Sequence, residues 1–132
     1  GRGVWGEFRP PSPESSVRAI FKIHRRQNMS LKEIQKQTDE WISQYKSGYW
    51  KPHEILAQLA EEVGELAREI NHGWGQKIKK PDEKDGNLGE ELGDIIFVVS
   101  ALANSLNIDL DEMWKRVRDK HLIRDKDRYE RK

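Results

Sequence analysis

The sequence predicts an all-α fold: an antiparallel four-helix core assembled as a helical-bundle oligomer. Three observations lead there. Apolar residues recur at helical spacing in four segments, no segment alternates as a strand does, and the connections between segments are short. The 132 residues suit one domain with a modest core, small enough that association of copies would add to its stability.

The first helix opens at Ser30, which forms a capping box with Glu33. Leu31, Ile34, Trp41, Ile42 and Tyr45 mark its apolar stripe, and Gly48 marks its end. Pro52 suits the first turn of a second helix, carrying Ile55, Leu56, Leu59, Val63, Leu66, Ala67 and Ile70 as far as HGWG at 72–75. A polar, lysine-rich loop over 73–86 has turn residues at both ends. The third helix runs from near Asn87 to about Asn107, with Leu92, Ile95, Ile96, Val99, Leu102 and Leu106 expected inward. Asp109 and Glu112 form an Asp-initiated capping signal for a fourth helix with Leu110, Met113, Trp114 and Val117. Its end, KHLIRDKDRYERK, is dense in cations.

Residues 1–28 differ from the rest. They hold six of the 24 Lys and Arg but two of the 23 Asp and Glu, with three of the five prolines and no sustained periodicity. We read 1–28 as an expression leader, read-through or disordered segment, with the natural protein starting at Met29 and one domain over 29–132. The rival reading is a basic arm that binds nucleic acid. Without 1–28 the chain has a net charge of −3, which disfavours a nucleic-acid partner. Cysteine is absent, so disulfides, thiolate metal sites and a cysteine nucleophile are excluded. No apolar run reaches the roughly 18 residues of a membrane span, and no signal peptide stands out. The default is a soluble, cytoplasmic protein with no membrane partner.

The feature that carries chemistry is a doublet. EEVGELAREI at 61–70 and EELGDIIFVV at 91–100 each open with two glutamates, an aliphatic residue, a glycine and a further carboxylate. Glu62 with Glu65, and Glu91 with Asp94, are three apart and so share a helix face. A solvated face is the ordinary explanation of such pairs. Here Asp94 precedes a nearly uninterrupted apolar run, and a buried carboxylate must be paired, protonated or bound to metal. Like charges on one turn also repel, and two such pairs brought together need a cation between them. Gly64 and Gly93 hold the same place in both motifs, as if the helices crossed closely there. Four oxygen ligands without a thiolate select a hard cation, Mg²⁺ with Mn²⁺ as a substitute, and point toward polyphosphate chemistry.

Glu62-x-x-Glu65, 25 residues, then Glu91-x-x-Asp94 resembles the metal-binding signature of the MazG-like all-α nucleoside triphosphate pyrophosphohydrolases. EEVGELAREINH, the Lys/Asp loop, EELGDIIFVVSALANSLNIDL and RDKDRYERK resemble its small single-domain bacterial members, of the YpjD type, over 29–132. The resemblance implies a four-helix core of that type in a homodimer or a homotetramer built as a dimer of dimers. It implies hydrolysis of nucleoside triphosphates to monophosphate and pyrophosphate, with nucleotide-pool house-cleaning as the role. Carried over, Glu62, Glu65, Glu91 and Asp94 are the Mg²⁺ ligands, and Lys120 is a lysine that reaches phosphate. Small members carry an asparagine just after that lysine; this chain reads His121-Leu122-Ile123, and Arg124 is the replacement donor to test.

The mechanism these residues support is metal-assisted phosphoryl transfer, with Glu62 or Glu65 as the base for the attacking water. Glu61 is either a water-orienting group or an exposed residue. Lys77, Lys79 and Lys80 of the loop are further candidate phosphate donors. Tyr49 and Trp50 before the first acidic helix, and Trp74 after it, are candidates to border a base or sugar pocket, packing being the alternative for each. Two other functions compete. Glu69-x-x-His72 is half the signature of a carboxylate di-iron bundle. A non-catalytic nucleotide-binding or scaffold protein would keep the fold without the chemistry.

Overall fold

The computed structural model describes residues 29–132, and the reading of residues 1–28 falls outside them. The described residues form four helices and no strand: α1 Leu31–Ile42, α2 Pro52–Trp74, α3 Leu88–Ser105 and α4 Leu110–Arg124. Each start has a local cause. The Ser30 hydroxyl accepts the Glu33 N–H at 3.0 Å. Pro52 begins α2 while the Lys51 N–H donates to Glu54 Oε2 at 3.0 Å. Asn87 Oδ1 accepts the Glu90 N–H at 3.2 Å, and Asp109 Oδ1 accepts those of Asp111 and Glu112 at 3.0 and 3.3 Å. These side chains satisfy amides that an α-helix leaves free at its first turn.

α1 stops about a turn before its expected end. Beyond Ile42 the chain tightens, Gln44 and Tyr45 donating to the carbonyls three residues back, and Gly48 closes the turn at φ +58°. α3 ends in a Schellman arrangement. Ile108 N–H donates to Ala103 C=O at 2.9 Å and Asn107 N–H to Asn104 C=O at 3.1 Å, with Asn107 left-handed at φ +54°. Asparagine tolerates that conformation better than other non-glycine residues.

α3 packs against both α2 and α1, and α4 reaches back to α1. Ile42 from α1, Ile55 from α2, and Val98 and Ala101 from α3 form the buried core. Trp41, Tyr49, Trp50, Leu59, Phe97 and Leu102 pack around it. Each buried isoleucine contributes about 1.5–3 kcal/mol. α4 leaves α3 at a bend of 109° and buries none of its residues, so it lies across the bundle instead of folding back along α3.

Two expected stripes shift. On α1 the buried positions are Gln35, Thr38 and Ile42, while Tyr45 is exposed. Gln35 is buried because its amide staples the α3–α4 junction. Its Nε2 donates to Asn104 Oδ1 at 3.0 Å and Ile108 O at 2.7 Å, and its Oε1 accepts the Leu110 N–H at 2.9 Å. Asn104 Nδ2 returns a bond to Gln35 O at 2.8 Å. On α3, Leu92 and Ile96 were expected inward but are 49% and 47% exposed, and Leu106 is exposed as well. With α4 bent away, this face of α3 is left uncovered by the described residues. Val63 and Ile70 on α2 are exposed too. Among the described residues no single helix is long and apolar enough to cross a membrane.

Candidate metal centre

The antiparallel pairing that sets Ile55 beside Val98 and Ala101 continues about two to three turns further, bringing Glu62 and Glu65 of α2 to Glu91 of α3. One carboxylate oxygen from each of these three half-buried residues lies within 4.8 Å of the others. Asp94 stands outside that trio yet is electrically part of the group. Its pKa is raised by burial first and then by the charge of Glu65. Glu62 is likewise raised by burial, then by Glu65, Asp94 and Glu61, while a hydrogen bond from Gln58 works the other way. Glu91 is raised by burial, then by Glu65, Asp94, Glu62 and Glu69.

Two carboxylates at this separation repel by on the order of 3 kcal/mol at an effective dielectric near 20. Among the described residues no basic side chain forms an ion pair with Glu62, Glu91 or Asp94. Glu62 Oε2 and Glu91 Oε2 are buried and accept no hydrogen bond. Negative oxygens left without a donor and crowded together match a hard divalent cation. No nitrogen or sulfur ligand belongs to the trio.

The matched glycines require another explanation. Among the described residues a Cβ built on Gly64 or on Gly93 meets nothing within 4 Å, so neither marks a close crossing of the described helices. Glu61 is exposed and acts on the cluster through its charge on Glu62.

The expected cations and aromatics lie on different elements. Lys120 is exposed on α4, which packs on α1. Arg124 Nη2 pairs with Asp125 at 2.9 Å. Tyr49 donates its hydroxyl to Asp39 Oδ1 at 2.7 Å and accepts from Asn104 Nδ2 at 3.0 Å. Burial and the Asp39 bond push its pKa up to about 12. Trp50 packs on the core, whereas Trp74 is 77% exposed. The 23 residues of α2 separate Tyr49 and Trp50 from Trp74 by about 33 Å at 1.5 Å per residue, so one chain cannot line a single pocket with all three.

A shallow groove of about 430 Å³ is lined by Lys32, Lys36, Asp39, Asn104 and Asp109 and shares no residue with the carboxylate cluster.

The loop over 75–87 is clasped to the end of α2. Lys79 Nζ lies 3.6 Å from Glu69 Oε2 and 3.1 Å from Asp85 Oδ1, and donates to Lys84 O at 3.3 Å. Glu83 lies 3.5 Å from Arg68 and 3.9 Å from the buried His72 Nε2. Gly86 presses on Glu69: an added methyl would fall 2.5 Å from Oε1 and 2.8 Å from Oε2. Glu69 and His72 are therefore committed to the loop and stand outside the metal-like trio, which removes the half-motif of the di-iron alternative. Sequence reasoning passed over both this clasp and Gln58. The four-residue spacing of Gln58 and Glu62 was the available signal for the latter.

The MazG nucleotide pyrophosphohydrolase domain matches residues 51–129, a stretch that contains both acidic pairs. The chain belongs to the MazG family. YpjD of Bacillus subtilis (strain 168) is 50% identical over 103 residues, which make up 78% of this chain and 93% of YpjD. The crystal structure of YPJD from Bacillus subtilis superposes with a TM-score of 0.64 at 48% identity, covering 71% of this chain and 96% of that one. A Bacillus-conserved MazG protein, described as a nucleotide pyrophosphohydrolase, gives a TM-score of 0.61 at 42% identity, covering 71% and 90%. As a MazG-family member the protein is a hydrolase of the nucleotide pyrophosphohydrolase class, and its all-α fold is the one these relatives share.

Proposed function

We propose that the protein hydrolyses (deoxy)nucleoside triphosphates to the monophosphate and pyrophosphate, with Mg²⁺ held by Glu62, Glu65, Glu91 and Asp94. The observation that carries this reading is the pair of buried carboxylate oxygens without donors, Glu62 Oε2 and Glu91 Oε2, on two acids that no basic side chain among the described residues pairs with. When bound, Mg²⁺ supplies charge neutralisation of the triphosphate and acidifies a water ligand; Mn²⁺ substitutes. The protein's part is to hold the oxygens apart from solvent and to take the proton of the attacking water on Glu62 or Glu65.

A second copy of the chain completes the enzyme in this reading. Val63, Ile70, Leu92 and Ile96 are exposed on α2 and α3 beside the acids, a surface that a homodimer, or a dimer of dimers, would cover. In such an assembly a neighbour brings Trp74 near Tyr49 and Trp50 to border a base and carries Lys120 and Arg124 to phosphate. Leu92→Lys should then yield a monomer by sedimentation with little activity. House-cleaning of the cytoplasmic nucleotide pool is the matching role.

Pyrophosphate release from a panel of canonical, oxidised and methylated nucleoside triphosphates with Mg²⁺ tests the reading. Turnover of at least one, lost in Glu65→Gln and Asp94→Asn, is expected. No turnover of any, or variants as fast as the parent, would overturn it in favour of a non-catalytic binder.

A further inference from the structure

One polar residue beside the cluster is more deeply buried than the acids themselves. Gln58 is 2% exposed, one turn before Glu62 on the α2 face turned to α3. Its Nε2 donates to Glu62 Oε1 at 2.9 Å. Its own Oε1 is buried and accepts nothing. We propose that Gln58 is a positioning residue for Glu62: its amide ties down Oε1 and thereby leaves Oε2 as the single oxygen turned to the cation. The inference rests on the carboxylate metal site proposed above.

The amide can face Glu62 in only one way. Its NH₂ must point to the carboxylate, since the reverse orientation would set two acceptors against each other. A buried amide whose carbonyl goes unmet is a poor device for folding, because an apolar side chain of the same shape would fill the position without an orphaned group. What the amide adds is a neutral donor. It satisfies one oxygen and favours the ionised form, without the positive charge of a lysine or arginine that would compete with a metal ion for the same carboxylate. The unpartnered atom is then Oε2, as observed. Donors behind a metal ligand fix its orientation, and their loss typically weakens metal binding by about 10–100-fold.

The experiment is Mn²⁺ binding, followed by electron paramagnetic resonance or calorimetry on the full chain, for the parent, Gln58→Met, Gln58→Asn and Glu91→Gln. Helicity and the unfolding midpoint are recorded for each. Gln58→Met keeps the shape and deletes the donor; Gln58→Asn keeps an amide that cannot reach Glu62. Both are expected to bind Mn²⁺ about tenfold more weakly while remaining helical, a change that a purely structural role would not produce in the folded fraction. If Gln58→Met fails to fold, Gln58→Asn decides. Binding within twofold of the parent in the folded variants overturns the positioning role alone. A parent that takes up no Mn²⁺, or a Glu91→Gln protein that binds as well as the parent, overturns the metal site and this inference with it.

Discussion

The α2–α3 pair has two ends built on opposite principles. At one, Ile55 meets Val98 and Ala101, with Ile42 of α1 closing over them, and every large apolar group has its neighbours within the chain. At the other, about two to three turns along the same helices, Glu62, Glu65 and Glu91 converge while Val63, Leu92 and Ile96 face outward. The first end is complete by itself and accounts for the fold. In the function proposed above, the second takes a metal ion for the acids and a second copy for the apolar face, so that stability and the proposed chemistry sit on one pair of helices, separated by position along them.

Substitutions at the two ends should fail differently. Glu65→Gln is expected to lower the rate of pyrophosphate release by about 10²–10⁴-fold, the usual contribution of a positioned general base, while leaving the protein folded. A fall of less than threefold would separate Glu65 from the chemistry. Ile55→Ala should reverse the pattern. Denaturant unfolding should show a loss of about 2–5 kcal/mol, with activity per folded molecule largely kept.

Acidity sharpens the contrast further. Glu62, Glu91 and Asp94 have pKa values raised from their ordinary carboxylate values, by burial first and then by the neighbouring charge of Glu65. As pH climbs past the unfolded values, the unfolded chain releases its protons while the folded chain still holds them. Metal-free stability should therefore fall with rising pH until the raised folded values are passed, then level off. Thermal melts in chelator across pH 4–8, an interval of roughly this width, read it directly; metal-free stability that rises throughout would contradict it. Gly86→Ala should have the smallest of these effects. Its methyl would press on the Glu69 carboxyl and strain the clasp, costing about 1–3 kcal/mol with the core end untouched.

Local signals carried well from sequence to structure. Ser30, Pro52, Asn87 and Asp109 begin their helices because capping chemistry is read over three or four residues. The two acidic pairs were legible for the same reason, since a three-residue spacing fixes a shared face whatever the fold. What stayed hidden depends on tertiary placement. Nothing in the spacing of Leu92 and Ile96 says whether a helix of the same chain covers them, and among the described residues they are left exposed. The burial of Gln35 and Gln58 likewise depends on tertiary placement, since the α3–α4 junction and Glu62 supply their partners. The matched glycines misled because a shared motif position is not a shared contact.

The most direct measurement is the thermal midpoint of the full chain and of Glu91→Gln, first in chelator and then with increasing Mg²⁺ or Mn²⁺. The parent should be stabilised in proportion to the logarithm of cation concentration once the site begins to fill. Glu91→Gln should melt higher than the parent in chelator, by a few degrees or roughly 1 kcal/mol, because one repelling charge is gone, and should respond little to the ion. A parent whose midpoint ignores the cation, together with a Glu91→Gln protein no more stable than it in chelator, would contradict the claim that these carboxylates converge to hold a metal.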